Sequence, residues 1–228
     1  MQFKNIIALV PMRHHSQRVP QKNFREIAGK PLYHHIITTL QSCSEICKIV
    51  VNTDSDVILE GLESNFPSVI RIKRPSHLCA DTVPMNDILL HDVDQVKGDL
   101  YLQTHSTNPL LKAETISKAI TQFRAHSQKF DSLFSVTRMH TRLWDQNAKP
   151  INHDPNILLR TQDLPPVFEE NSCIYMFTAQ NLKKRKNRLG ENPMIFEIDP
   201  LEALDIDEEY DFQIADIMLR MQQNSKLV

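Results

Sequence analysis

Apolar, β-branched runs alternate with stripes of helical period along the first 137 residues. Residues 6–10, Ile-Ile-Ala-Leu-Val, form a continuous apolar run, which predicts a strand buried on both faces. Leu32, Ile36, Ile37 and Leu40 repeat at the 3.6-residue period, predicting a helix entered at Pro31. The same rhythm predicts strands over 47–52, 69–73, 100–103 and 132–137. Helices are predicted over 57–65, 85–96 and 113–127. Strands separated by helix-length segments imply parallel pairing with right-handed crossovers. The expected fold is therefore α/β, a doubly wound and mostly parallel sheet.

The rhythm breaks after residue 138. Residues 139–170 carry Pro150, Pro155, Pro165 and Pro166 among many polar residues, with the sole tryptophan at Trp144. This stretch is too long for a structureless loop in a compact domain. It is expected to be a protruding β-rich arm or flap inserted into a single domain spanning 1–228. Its apolar residues Leu143, Trp144, Ile151, Ile157 and Leu158 would be exposed on an isolated chain, which suggests a homodimer. The strand pattern resumes at 173–177 and 195–198. A basic, exposed helix end or loop falls at 181–187, and an amphipathic helix at 208–223 closes the pattern.

Composition narrows the function classes. With 228 residues and a net charge of −2, the chain has no global basic field for nucleic acid. No apolar run approaches the ~20 residues that span a bilayer, so no membrane segment is expected. Nor does the N-terminus carry a signal-peptide pattern. The four cysteines form no Cys-x-x-Cys pair, which argues against zinc and for reduced thiols in a cytoplasmic protein. None of the ten histidines falls in a metal-ligating pattern with a partner acid. No Gly-x-Ser-x-Gly or Cys/His nucleophile arrangement is present.

Against this balanced background, Arg13, Arg18 and Lys22 crowd the loop leaving the first strand. Ligands of open parallel sheets bind beyond the carboxyl ends of the strands. Three cations there suit a polyanion, most simply a nucleoside triphosphate, and Ser16 and Asn23 can hydrogen-bond a phosphate, ribose or base. The loop has no glycine, so it is neither a Walker loop nor a dinucleotide fingerprint. A solvated basic loop is the competing reading. Late in the chain, Asp205 and Asp207 are two residues apart at a strand end, so both carboxylates can point the same way. Such a pair suits Mg²⁺ beside a triphosphate; alternatively Asp207 caps the last helix. Gln103 ends a buried strand, where its amide can read a sugar hydroxyl or carbonyl. Arg160 or Arg142 could face a substrate carboxylate, or be surface residues.

The segments Val10-Pro-Met-Arg13, Ser16-x-Arg18-x-Pro20-x-Lys22-Asn23 and Ala28-Gly-Lys-Pro-Leu32 together resemble the opening motif of the acylneuraminate cytidylyltransferase family. Further matches follow in order: Arg74-Pro75 with Leu78-x-Ala80-Asp81, Gln103-x-x-Ser106-x-x-Pro109-Leu110, Leu164-Pro-Pro-Val-Phe-Glu-Glu-Asn171 with Ile174-Tyr175, and Asp205-Ile-Asp207-x-x-x-Asp211-Phe212. The pattern departs from the family where His14 and His15 replace glycines and where Ser172 stands for the glycine after Asn171.

The resemblance implies transfer of CMP from CTP to the anomeric hydroxyl of an acidic 2-keto sugar, a sialic-acid-like nonulosonate, with release of pyrophosphate. It implies that Arg13, Ser16, Arg18, Lys22, Asn23, Arg74 and Asp81 hold the nucleotide. Gln103, Arg160, Asn171 and Tyr175 would face the sugar. Asp205 and Asp207 would carry Mg²⁺, and Arg13, Lys22 and Asp207 would act in the chemical step. The alternatives are a related nucleotidyltransferase using an eight-carbon keto sugar or a sugar phosphate, and a non-catalytic nucleotide- or sugar-binding module.

Overall fold

The computed structural model describes residues 3–225. Strand β1 (Ile6–Met12) feeds two cores at once, because successive side chains point to opposite faces of the sheet. Ile6, Ala8, Val10 and Met12 join one core, and Ile7 and Leu9 join the other. The first core is covered by α1 (Leu32–Gln41), α2 (Asp56–Asn65) and α4 (Ala113–His126). The second is covered by α3 (Met85–Gln95) and α5 (Ala179–Arg185). This is the doubly wound, three-layer arrangement expected from the sequence pattern.

The sheet has seven strands in the order β5-β4-β1-β6-β8-β7-β9. Besides β1 they are β4 (Ile46–Thr53), β5 (Ile70–Lys73), β6 (Leu100–Gln103), β7 (Ser132–Met139), β8 (Val167–Phe177) and β9 (Pro193–Glu197). β1 pairs in parallel with β4 and β6, while β8 runs antiparallel between β6 and β7. The chain order therefore turns back beside β1: β4 and β5 lie to one side, β6 to the other. The loops after β1 and β6 diverge there and open a crevice at the carboxyl edge.

Three local features differ from the sequence expectations, and a fourth resolves one of their alternatives. β1 continues two residues further, through Pro11 and Met12, in register with Asn52 and Thr53 of β4. Residues 29–31, which read from the sequence as a loop entering the helix at Pro31, belong to a hairpin of β2 (Glu26–Ile27) and β3 (Lys30–Pro31). Its turn residues Ala28 (φ 47) and Gly29 (φ 85) both have positive φ, as a two-residue type I′ turn requires. The basic stretch at 181–187 lies mostly within α5, whose N-cap Thr178 accepts from the Asn181 N–H. In the inserted segment, β structure lies at the two ends, where β7 pairs with β8. Residues 140–166 hold one bridge, Trp144 to Pro150, and a 3₁₀ turn over Thr161–Asp163. Asp145 and Asp154 accept nearby backbone N–H groups there, closing turns rather than extending strands. Apolar side chains are exposed along this segment, Leu158 at 90%.

Helix α6 (Glu209–Ser225) packs on the β2–β3 hairpin through a small third core. Val19, Ile27, Leu32, Leu110, Ile206, Phe212, Ala215 and Leu219 form it. Arg25 forks onto Glu209 with two 2.7 Å bonds and lies 4.1 Å over the Phe212 ring. This packing holds residues 205–209 against the loop that leaves β1.

Candidate active site

The loop after β1 is pinned at both ends. Asn23 donates to the Arg13 carbonyl (2.7 Å) and accepts from the Ser106 hydroxyl (2.6 Å), tying the loop to the segment after β6. Its amide is thus a brace across the crevice. Ser16 accepts from the Val19 N–H at 3.3 Å. His14, where the family pattern has glycine, turns toward the β4–α2 corner. Its N–H donates to Asp54 (2.7 Å), and its ring is hydrogen-bonded to Ser55 (2.7 Å) and packs against Phe24. The larger side chain anchors the loop from outside, and exposed His15 stacks edge-on against it.

The loop cations face carboxylates. Arg13 pairs with Asp81 at 2.7 Å, and Gln17 donates to the other oxygen of that carboxylate. Arg18 reaches Asp207 at 2.6 Å and Glu208 at 3.4 Å. Lys22 donates to the Ile206 carbonyl at 2.5 Å and lies 3.8 Å from Asp207. Burial lowers the Lys22 pKa, opposed by the charges of Asp205 and Asp207. Asp211 accepts from the N–H groups of Asp207 and Glu208, so it caps the turn and leaves the Asp207 carboxylate facing the cations.

Asp205 is half-buried, and its Oδ1 has no hydrogen-bond partner. Burial raises its pKa, reinforced by the charge of Asp207. A buried carboxylate oxygen without a donor is a position a hard cation would satisfy. Among the described residues no group of three or more His, Cys, Asp or Glu is poised for a metal. Mg²⁺ is commonly bound by one or two carboxylates completed by water and substrate phosphates, so the Asp205–Asp207 pair fits that ion.

Arg74 is nearly fully buried. It donates to Asn52 Oδ1 (2.8 Å), the Asn52 carbonyl (3.0 Å) and the Met12 carbonyl (3.1 Å), joining the ends of β1 and β4. Its Nη1 has no partner.

On the other side of the crevice, Gln103 is 0% exposed and both ends of its amide are engaged. Oε1 accepts from Arg188 at 2.5 Å, while Nε2 meets His105 at 2.9 Å and the Thr104 carbonyl at 3.3 Å. The Arg188 guanidinium lies 3.4 Å from the centroid of the Tyr175 ring. Burial pushes the Tyr175 hydroxyl up to about 12, and this hydroxyl meets Glu170 and Ser172. Burial, with Arg188 and Lys22 nearby, holds His105 down at about 4, so it is neutral near pH 7. The charges of both the first-loop Lys22 and Arg188 of the Gln103 cluster thus act on His105.

Two residues expected at the sugar are engaged elsewhere. Asn171 accepts from Ser135 (2.6 Å) and donates to Thr137 (2.9 Å), so its amide joins β8 to β7. Ser172 beside it has φ 59, the left-handed conformation that glycine adopts most easily. Arg160 forks onto Asp163 at 2.6 and 3.1 Å on the exposed inserted segment. Arg142, the other candidate, donates to the Leu159 carbonyl within that segment. Arg188 and His105 were not singled out from the sequence. His105 lies inside the Gln103–Leu110 motif, and Arg188 lies one residue beyond the basic stretch.

A doubly wound sheet with a cationic loop at its switch point, set against a late carboxylate pair, is the frame of a nucleotidyltransferase. Residues 7–226 match the family described as Cytidylyltransferase, and the chain belongs to that family. It is 29% identical to a CMP-N,N'-diacetyllegionaminic acid synthase of Legionella pneumophila, covering 96% of this chain and 98% of that protein. It is 26% identical to the N-acylneuraminate cytidylyltransferase of Oncorhynchus mykiss, covering 93% of this chain and 50% of that one. Among solved structures, a CMP:2-keto-3-deoxy-manno-octonic acid synthetase complexed with CTP superposes with a TM-score of 0.72 at 14% identity, over 96% of this chain and 99% of that one. At that identity the likeness is one of fold. Among the described residues no helix is long and apolar enough to cross a membrane.

Proposed function

We propose that this chain transfers CMP from CTP to the anomeric hydroxyl of an acidic nine-carbon 2-keto sugar, using Mg²⁺ and working as a homodimer. The observation that carries the reading is the set of charged and polar groups gathered at the carboxyl ends of β1, β4 and β6: Arg13 on Asp81, buried Arg74 on the ends of β1 and β4, Arg18 and Lys22 on Asp207, and Gln103 with Arg188 and His105. Family membership and the names of the full-length relatives support the same reaction. The exposed apolar side chains of residues 140–166 support the dimer.

In this reaction the sugar hydroxyl oxygen attacks the α-phosphorus of CTP. The bond from that phosphorus to the bridging oxygen of the β-phosphate breaks, pyrophosphate leaves, and the hydroxyl proton passes to solvent or to the departing phosphate. Such chemistry needs alignment and charge stabilisation rather than a protein nucleophile. Arg13 and Lys22 supply positive charge to the phosphate oxygens. The Arg13–Asp81 pair is solvent-exposed, so exchanging Asp81 for a phosphate costs little. Arg74, braced by Asn52, would offer Nη1 to the nucleotide. Asp205 and Asp207 would hold Mg²⁺, which supplies charge neutralisation on the phosphates and a fixed alignment. Arg18 would leave Asp207 for the triphosphate.

The test is pyrophosphate release from CTP and Mg²⁺ with a panel of nonulosonic acids, an eight-carbon keto sugar and a sugar phosphate. Turnover with a nine-carbon acid, abolished in Asp207→Ala, is expected. Full activity of Asp207→Ala would sink the metal assignment. Preference for the eight-carbon acid would shift the sugar assignment, and CTP binding without turnover on any sugar would point to a binding module.

A further inference from the structure

Every cation of the loop after β1 has a carboxylate partner within 4 Å. Arg188 has none among the described residues, although it is partly buried in the same crevice. Its guanidinium is clamped between the face of Tyr175 and the amide oxygen of Gln103. Its backbone N–H donates to Asn86 at 3.1 Å. The loop that carries it is held by Asp131, which accepts from the N–H groups of Glu191 (2.7 Å) and Asn192 (3.0 Å). Glu170 is a negative charge acting on it, but Glu170 bonds the Tyr175 hydroxyl and makes no ion pair within 4 Å of the guanidinium, which leaves N–H donors for an anion arriving from outside.

The neighbours say which anion. Arg188 and Lys22 both lie close enough to His105 to lower its pKa, so Arg188 is near the phosphate-facing cations without belonging to the loop that carries them. Gln103 is fully buried with its amide engaged by Arg188 and His105, both only partly buried, so these two side chains rather than Gln103 are accessible to a ligand. Arg160 and Arg142 are occupied on the exposed segment. Glu170 bonds the Tyr175 hydroxyl instead of Arg188 and sets a negative rim beside the guanidinium.

We propose that Arg188 binds the carboxylate of the acidic sugar, and that Gln103 and Tyr175 position its guanidinium. The inference rests on the proposed function and names the residue that makes the enzyme select an acid. A guanidinium fits a carboxylate through two parallel N–H donors, which a lysine cannot reproduce.

The test compares the acidic sugar accepted by the wild type with the same sugar carrying a carboxamide in place of the carboxylate. Both are assayed with CTP and Mg²⁺ in wild type, Arg188→Lys and Arg188→Gln. The wild type is expected to favour the acid in kcat/KM by roughly 10- to 100-fold, the size of one charge-assisted contact. In Arg188→Gln that ratio falls toward one, Arg188→Lys falls between, and the KM for CTP stays within about twofold. A purely structural role would depress acid and amide together and leave the ratio at its wild-type value, which overturns the proposal. So would a wild type that does not discriminate. If Arg188→Gln fails to fold, an unchanged ratio in Arg188→Lys overturns it equally. Should the wild type turn over no acidic sugar at all, the proposed function falls and takes this inference with it; an active wild type with an unchanged ratio in the variants removes the inference alone.

Discussion

Arg74→Met separates the two tasks that the structure gives one side chain. Arg74 is 3% exposed, and three of its hydrogen bonds end on Met12 and Asn52, at the tips of the strands that frame the nucleotide loop. Methionine fills similar space but removes all three. Hydrogen bonds to a charged group contribute roughly 1.5–3 kcal/mol each, and a buried acceptor left bare costs about 1–3 kcal/mol. Recovered hydration offsets part of this, since burial already disfavours the charged guanidinium. A net loss of about 2–4 kcal/mol follows, or roughly 5–15 °C in Tm for a chain of this size. The second task falls to Nη1, which has no partner in the protein. If it serves the nucleotide, its loss weakens CTP by roughly 10- to 100-fold. Thermal melts with and without CTP, and calorimetric titration of CTP into folded Arg74→Met, read both effects. A variant that melts within 2 °C of wild type and binds CTP equally well would refute the reasoning about this network; roughly 2 °C corresponds to no more than about 1 kcal/mol for such a chain.

Other substitutions probe the parts that hold the site in place. Ser172→Gly relieves a left-handed residue at φ 59 and is expected to raise stability by about 1 kcal/mol in denaturant unfolding; an unchanged midpoint would mean that its contact with Tyr175 offsets the strain. Gly190→Ala places a Cβ 2.0 Å from Asp131 Oδ1, expelling the carboxylate that holds the Arg188 loop; a loss of at least about 2 kcal/mol is expected, and wild-type stability would show that the loop can shift freely. Asp92 is buried with a raised pKa, chiefly through desolvation, so the folded state binds its proton more tightly than the unfolded state. Its contribution is fully present below the unfolded value of 3.8 and is lost as pH rises through the folded value. Asp92→Asn is therefore expected to gain stability relative to wild type as pH rises above that window, and parallel stability-versus-pH curves would contradict the assignment.

The parallel half of the sheet was legible because β1, β4 and β6 are continuous apolar runs followed by helical stripes, a pattern that only strands covered on both faces produce. The antiparallel insertion of β8 was not. Its run Cys173–Phe177 is apolar in either direction, and the clue lay in what was missing. No crossover helix separates β7 from β8, so the chain leaves and re-enters at the same edge, which forces antiparallel pairing. The cations of the first loop and the Asp205–Asp207 pair were legible as charges at strand ends. Their mutual pairing was not, since it depends on α6 packing onto the β2–β3 hairpin. Arg188 was hidden for a similar reason. It reaches Gln103 across 85 residues only because β8 sits beside β6. In the sequence it follows a run of exposed lysines and an arginine from which nothing local distinguishes it. His14 shows the reverse case, in which a departure from a family pattern proved to be an anchor to Asp54 and Ser55.

The most direct measurement is phosphorus NMR of the purified protein with CTP, Mg²⁺ and an acidic nine-carbon 2-keto sugar. The account predicts loss of the three triphosphate resonances and matched growth of pyrophosphate and of one phosphodiester resonance, the CMP-sugar, with no change when the sugar is omitted. CTP that stays intact with every acidic keto sugar, by a protein that binds it, would contradict the account.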